Sequence, residues 1–335
     1  MPSPHFQRFA WIFVAYLLFV ILFGAWVRIA GAGAGCGNHW PTCNGDVIPQ
    51  APEAKTVIEF THRVSSGLCG LLVLILVGWA RRIDRRLFYA ALATLFFILV
   101  ESFIGAVLVK KELVAGDTSL SRAIVISLHL VNTMLLTAAA ATVAWWAGRV
   151  GPDSTPSKAG TRRFTASKGL VAAVLAVLVI TSVTGAVTAL GDTLFPKQPA
   201  LDGGLLASVR GDLTVSQHFL VRLRILHPMV AVFSAMVILA VSAGLRLRAK
   251  AFGDPHEALK AIRLLKSWQH TVLLQVAIGV ANIMLAAPGW MQIIHLLIAQ
   301  SLWILVWVTV LEFWPPRERP VPLTPLVAAE VQAPR

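Results

Sequence analysis

The chain has 335 residues, of which 57% are hydrophobic and 13% are charged, about half the charged share of an ordinary soluble domain. With a mean hydropathy of +0.73, this composition excludes a water-soluble enzyme, and three cysteines are too few for a disulfide-rich secreted domain. We predict an all-α integral membrane protein surrounded by membrane lipid. The excess of 29 Lys and Arg over 16 Asp and Glu then indicates membrane sidedness, and we predict no nucleic-acid partner.

Eight segments approach the ~20 apolar residues that cross a bilayer as a helix. With a cytoplasmic N-terminus, about two thirds of the Lys and Arg residues fall in cytoplasmic segments, as the positive-inside rule requires. We therefore predict a multi-pass protein of the cell (plasma) membrane with both termini in the cytoplasm. The predicted spans are 9–30, 64–80, 87–109, 124–147, 169–190, 226–245, 270–287 and 291–314.

A polar and basic segment, rich in Gly, Pro and Ser, separates the first four spans from the last four. We predict an N-terminal four-helix bundle at 1–147, a cytoplasmic linker at 148–168 and a C-terminal four-helix bundle at 169–314. The tail at 315–335 has the composition of a disordered segment.

The two halves carry similar short motifs at matching places. Residues 24–27 (GAWV) resemble 185–188 (GAVT), and residues 105–107 (GAV) resemble 279–281 (GVA). Because each half has an even number of predicted spans, both copies insert in the same direction. The predicted fold is therefore eight transmembrane helices arranged as two tandem four-helix bundles, related by a parallel pseudo-twofold repeat.

Four histidines follow the spacing of this repeat: His62 and His227 are 165 residues apart, and His129 and His295 are 166 apart. Each is predicted within the first two turns of an even-numbered helix, so all four lie near the outer surface. Alternate helices of an up-down bundle lie diagonally across its core, which predicts two facing pairs. Two facing imidazoles at one depth are what axial ligation of a haem iron requires, so the pairs predict haem sites. The alternative is that each histidine only reaches the headgroup region, while zinc or copper would lack further ligands in both halves.

Charged residues near these histidines are the next candidates. Glu59 precedes His62 by three residues and shares its helical face, where it could do chemistry or be a helix N-terminal charge stabilised by the dipole. The equivalent residue of the second half is Arg224. Arg28 and Arg63 could pair with haem propionates or anchor the helix ends at the interface.

Cys36 and Cys43 lie in the first outer loop, which faces an oxidising compartment, and form either a structural disulfide or a redox-active pair. Glu101 is an intramembrane carboxylate, either neutral and hydrogen-bonded or part of a proton path. His218 and His270 have no repeat partner among the four histidines and are left unassigned.

The run GAWVRIAGAGAGCGNHWPTCNGDVIP at 24–49, followed by EFTHR at 59–63, resembles the signature of the haem A synthase family. That pattern is an Arg near the end of the first helix, a glycine-rich turn, Cys, Trp-Pro, Cys, Asn-Gly, a Pro and then Glu-x-x-His-Arg. The resemblance extends from about residue 10 to 314. Unlike many bacterial members, the loop at 191–225 holds no second cysteine pair, which excludes a redox role for that loop.

The resemblance implies an enzyme that oxidises the C8 methyl group of haem O to a formyl group, making haem A for terminal oxidases. It further implies that Glu59, His62 and His129 hold the substrate haem, whereas His227 and His295 ligate a haem b cofactor. Implied partners are haem O synthase (protohaem farnesyltransferase), a terminal oxidase assembly, and an electron donor or acceptor.

Two other functions fit parts of the pattern. A dihaem b-type membrane cytochrome that passes electrons from a quinol to a partner would use the same four histidines but would not need Glu59. A transporter would explain the repeat but not the matched depth of the histidines.

Overall fold

The computed structural model describes residues 4–50, 52–149, 166–196, 214 and 217–313. Within these ranges the chain is helical and has no strand. Most of the predicted linker at 148–168 and all of the predicted tail at 315–335 lie outside the described residues. The helices are α1 (Pro4–Ile29), α2 (Ala54–Ala80), α3 (Arg85–Lys110), α4 (Leu120–Ala147), α5 (Lys168–Leu194), the short α6 (Phe219–Leu223), α7 (Leu226–Lys250), α8 (Pro255–Met284) and α9 (Gly289–Phe313).

Seven helical segments of the described chain are long and apolar enough to cross a membrane, with α6 and α7 counted as one segment. The exception is α8, for which we predicted a span at 270–287. Its first half carries charged residues such as Lys260 and Arg263, and its second half carries the polar Gln275 and Asn282, which lower the hydropathy. Length and composition thus support seven of the eight predicted spans.

Two of the histidine-bearing helices begin earlier than predicted. Helix α2 begins at Ala54 rather than near residue 64, and α4 begins at Leu120 rather than near 124. The added turn of α4 is stabilised by Ser119, whose hydroxyl accepts the backbone N–H of Arg122 at 3.2 Å. His62 and His129 therefore lie in the third helical turn, deeper along their helices than the sequence predicted.

Each half of the chain forms a ring of four long helices. Consecutive helices α1 to α4 pack side by side, and α4 returns to α1. In the second half, α5, α7, α8 and α9 pack in the same order, and α9 also contacts α5. In both rings the histidine-bearing helices, α2 with α4 and α7 with α9, occupy alternate corners, so their side chains can meet across the interior.

The two rings share an extensive interface built by α1, α4, α5 and α9. Two tryptophans of α9 bond to α4: the indole N–H of Trp303 donates to the carbonyl oxygen of Met134, and that of Trp307 to the hydroxyl of Thr142, each at 2.8 Å. Met134 belongs to the same apolar cluster as Trp303. The position of each site therefore depends on both halves.

We expect Trp303→Phe to destabilise the protein by about 1–3 kcal/mol, because it removes a buried donor and leaves a small cavity. Unfolding of the purified protein in detergent measures the loss. Trp290→Phe, at a tryptophan that is 55% exposed on the same helix, is the control and should stay within about 0.5 kcal/mol. Equal stability of the two variants would contradict the role of Trp303 between the rings.

Candidate functional site

His227 of α7 and His295 of α9 face each other across the second ring. Their ring centroids are 6.2 Å apart and their planes are perpendicular. Metal–nitrogen bonds to imidazole are about 2 Å long, so two imidazoles sharing one ion have centroids roughly 6 Å apart. The pair therefore has the spacing that axial ligation of one iron requires, and the structure brings these two predicted residues together.

Three histidines rest against a glycine of the neighbouring helix. A Cβ built on Gly24 would lie 3.0 Å from Cε1 of His62, and one on Gly185 would lie 3.0 Å from Cε1 of His227. On Gly279 it would lie 3.1 Å from Cε1 of His295. Any larger residue would push the imidazole out of place, so these glycines are the cradle of the site.

His129 has a different neighbour. Among the described residues, nothing lies within 4 Å of a Cβ built on Gly105, the repeat counterpart of Gly279. Instead, Nδ1 of His129 lies 3.3 Å from Oε1 of Glu101 on α3. The imidazole of His129 is thus placed by a carboxylate rather than by a glycine contact.

The ring nitrogens retain capacity for a ligand. Buried Nδ1 atoms of His62 and His295 have no hydrogen-bond partner in the described part of the chain, and Nδ1 of His129 has the 3.3 Å contact with Glu101, which leaves its Nε2 for a ligand. Nδ1 of His227 lies 3.3 Å from the hydroxyl of Thr184. Because imidazole binds iron through one nitrogen and hydrogen-bonds through the other, these surroundings fit haem ligation.

Glu59 is almost fully buried, at 4% exposure, and its carboxylate joins α2 to the first outer loop. One oxygen accepts the backbone N–H of Cys36 at 2.9 Å, and the other pairs with Arg63. Arg63 in turn donates to the carbonyl oxygens of His39 at 2.7 Å and Thr42 at 2.6 Å. Glu59 and Arg63 therefore hold the loop in place one turn from His62.

The outer loop is closed by a disulfide between Cys36 and Cys43, both fully buried. A Cβ on Gly35 would lie 2.4 Å from the carbonyl oxygen of Lys55, so only glycine lets the loop approach α2 this closely. The hydroxyl of Thr56 donates to the carbonyl oxygen of Gly35 at 2.7 Å. The burial of both cysteines favours the structural alternative of the sequence analysis.

Arg28 lies at the interface between the rings. It donates to the carbonyl oxygen of Ala189 at 2.6 Å and to the hydroxyl of Thr193, both on α5, and to Oε1 of Gln292 on α9 at 3.0 Å. A guanidinium that joins three helices has a structural role whether or not haem is bound. Its contact with haem propionates stays a prediction.

Arg224, which occupies the place of Glu59 in the second half, also binds the end of α5. It is buried, pairs with Asp192 at 3.0 Å and donates to the carbonyl oxygens of Gly191 and Phe195. Arg224 therefore orders the outer end of the second ring, as Glu59 orders that of the first, with the opposite charge.

The two unassigned histidines lie away from the pairs. His218 caps α6 by accepting the backbone N–H of Leu220 at 3.3 Å, and its ring stacks on Phe195. His270 is exposed on α8. Sequence reasoning missed Gln275, whose amide nitrogen lies 3.1 Å from Nε2 of His295. The repeat could have found it, because Gln275 precedes Gly279 by the same four residues that separate Glu101 from Gly105.

We expect the double variant Cys36→Ser, Cys43→Ser to be less stable than the parent by about 2 kcal/mol, since a small closed loop is opened. Alkylation and mass analysis of protein isolated without reductant checks the bond directly. In the parent protein neither Cys36 nor Cys43 should react, and the buried Cys69 should react only after unfolding. Alkylation of Cys36 and Cys43 in the folded protein would contradict the disulfide.

Comparison with known proteins gives a family and several relatives. The family described as COX15-CtaA, cytochrome oxidase assembly protein, matches residues 7–307. A protein of Thermus thermophilus named protoheme IX farnesyltransferase is 43% identical over 312 residues, which are 91% of this chain and 48% of that protein. The chain thus spans about half the length of this relative.

Two relatives are named heme A synthase. The one from Halalkalibacterium halodurans is 33% identical over 176 residues, 51% of this chain and 54% of the relative. The one from an Exiguobacterium species is 39% identical over 95 residues, 27% of this chain and 31% of the relative. Since the family match covers nearly the whole chain, the protein belongs to the COX15-CtaA family of cytochrome oxidase assembly proteins.

Proposed function

We propose that this protein is a haem A synthase, which oxidises the C8 methyl group of haem O to a formyl group. The observation that carries the proposal is the facing pair of His227 and His295, at the spacing of shared axial ligands, in a chain of this family. Relatives named heme A synthase support the same reaction.

The two halves divide the work in this proposal. His227 and His295 hold a haem b, whose iron supplies one-electron chemistry when bound. His62 and His129 ligate the substrate haem O beneath the disulfide-closed loop. Glu59 supports this division, because it is an acid beside the first pair, whereas Arg224 stands at the equivalent place of the second.

Converting a methyl to a formyl group removes two hydrogen atoms and adds one oxygen atom, so electrons and protons must leave the substrate. If water supplies the oxygen atom, four electrons and four protons leave the methyl group and the water, and we assign the electrons to a membrane acceptor. If two successive O2-dependent hydroxylations supply it, a membrane donor provides two electrons to each of them. Glu59 lies on the helical face of His62 and is the acid of the first half placed to accept a proton or to stabilise cationic charge as the methyl carbon is oxidised.

The finer architecture also belongs to the proposal. We infer that α8 crosses the membrane as the seventh of eight spans and that the two rings form a parallel pseudo-twofold repeat in the cell membrane, with both termini cytoplasmic. The matching contacts of Gly24 with His62 and of Gly185 with His227 support the repeat. The 30-residue length of α8 and its packing between α7 and α9 support the eighth span.

A protohaem farnesyltransferase is the proposed source of the substrate. The Thermus relative carries that name and matches this chain over 48% of its own length, so about half of it has no counterpart here. In the Thermus protein, a segment similar to this chain is joined to further sequence. This arrangement supports direct transfer of the water-insoluble haem O from the site that makes it to the site that oxidises it. The product would pass to a terminal oxidase assembly, as the family description suggests.

The competing function is a dihaem cytochrome that transfers electrons from a quinol. It accounts for the histidines as well as the enzyme does. A variant of Glu59 discriminates between the two, because only the enzyme needs this carboxylate for more than its bonds to Cys36 and Arg63.

We expect His227→Ala and His295→Ala each to abolish the haem b signal while the first half stays folded, since either change removes one axial ligand. Extraction of the pigments and their identification by mass, with absorption spectra of the purified protein, measures this. His270→Ala, at an exposed histidine of α8, is the control and should keep its haem. Full haem content in both ligand variants would refute the pairing.

We expect Glu59→Gln to bind both haems yet convert haem O to haem A about 10² times more slowly, because a base or a stabilising charge is lost. The product and any hydroxymethyl intermediate are measured by mass after coexpression with a haem O producer.

The control for Glu59 must disturb the loop without removing the carboxylate. Thr56→Val does so, since it deletes the hydroxyl bonded to Gly35 and leaves Glu59 in place. A normal rate in Thr56→Val beside a slow Glu59→Gln would support chemistry. Equal slowing of both would assign Glu59 to loop anchoring, and a normal rate in Glu59→Gln would remove it from the mechanism.

A further inference from the structure

Glu101 lies on α3 in a segment apolar enough to span a membrane, and its carboxyl group points at α4. The amide of Asn132 donates to one carboxyl oxygen at 2.5 Å, and the hydroxyl of Thr133 bonds to the other. Nδ1 of His129 lies 3.3 Å from that second oxygen. Three polar groups on one face of α4 therefore converge on a single carboxyl group.

The groups around Glu101 are hydrogen-bond donors, so they favour a carboxyl group that accepts hydrogen bonds. Asn132 and Thr133 are buried, and the Asn132 amide also donates to the carbonyl oxygen of Phe97 at 2.9 Å, which fixes its orientation. A carboxylate in a membrane segment is costly unless such groups surround it, so intramembrane acids are retained for function. The acid that the sequence analysis left open is thus a partner of a proposed iron ligand.

In the second half, the position that corresponds to Glu101 holds a neutral amide, Gln275. Gln275 precedes Gly279 by four residues, as Glu101 precedes Gly105, and its amide nitrogen lies 3.1 Å from the His295 ring. One ligand of each pair therefore has a polar partner from the preceding helix. The partner is a carboxyl group in the first half and a neutral amide in the second.

We propose that Glu101 is a positioning residue that orients His129 toward the substrate iron. Gln275 orients His295 in the same way once its amide turns, so that Oε1, which has no partner in the described part of the chain, accepts the ring N–H. The inference rests on the proposed haem ligation. A carboxylate that accepts the outer N–H of a ligating imidazole raises the basicity of the ligand. His129 then donates more electron density to its iron than His295 does. This lowers the midpoint potential of the substrate haem relative to that of haem b.

The test is an equilibrium redox titration of the haem-loaded protein, followed by absorbance. We expect Glu101→Gln to raise the midpoint potential of the wave that is lost in His129→Ala, with about a tenfold change in the ratio of reduced to oxidised haem at a fixed potential. The reciprocal variant, Gln275→Glu, should lower the wave that is lost in His295→Ala.

Pigment content is measured in parallel, because a merely structural role would change haem occupancy rather than potential. Glu112→Gln, which removes an exposed acid beyond the end of α3, is the matched control and should shift neither wave. Unshifted waves at full occupancy in Glu101→Gln and Gln275→Glu would overturn the inference alone. A parent protein that bound no haem would overturn the proposed function, and this inference with it.

Discussion

Imidazole rings packed against glycines of neighbouring helices are the contacts on which the site depends. Gly24, Gly185 and Gly279 leave space for three of the histidines, whereas His129 lies beside Glu101. The helices can then remain close while two histidines meet across the ring. In the second half this brings His227 and His295 to a centroid distance of 6.2 Å.

A buried charge helps to fix the histidine-bearing end of each ring. Glu59 binds the backbone of Cys36 and the side chain of Arg63, whereas Arg224 binds Asp192 and carbonyl oxygens at the end of α5. Both arrangements bring the outer segment against the helix that carries a histidine. Since buried charges are stable only when paired, Glu59 holds the loop of Cys36 to α2, and Arg224 holds the turn before α7 to the end of α5.

The role of the four histidines stays a prediction, but the sequence predicted elements that depend on local pattern: the apolar helices and the pair of Cys36 and Cys43, which a disulfide joins. It placed His62 too near the helix end, because α2 continues into polar turns that hydropathy does not detect. The partners of Arg28 were also beyond reach, since they lie on α5 and α9 and depend on how the rings pack. Long-range contacts of this kind follow from tertiary structure and not from spacing.

In the repeat that we propose, two sites share one geometry while their electronic properties diverge. The positions that differ between the halves are those beside the ligands: Glu59 against Arg224, and Glu101 against Gln275. Each of these two pairs of positions differs in charge, and Arg224 lies in the turn before α7 whereas Glu59 lies within α2. Acidic neighbours stabilise positive charge on an oxidised iron or on a reacting carbon, whereas neutral or basic neighbours favour a site that accepts electrons. The direction of electron flow, from the first ring to the second, would then be set by side chains next to the ligands rather than by the ligands themselves.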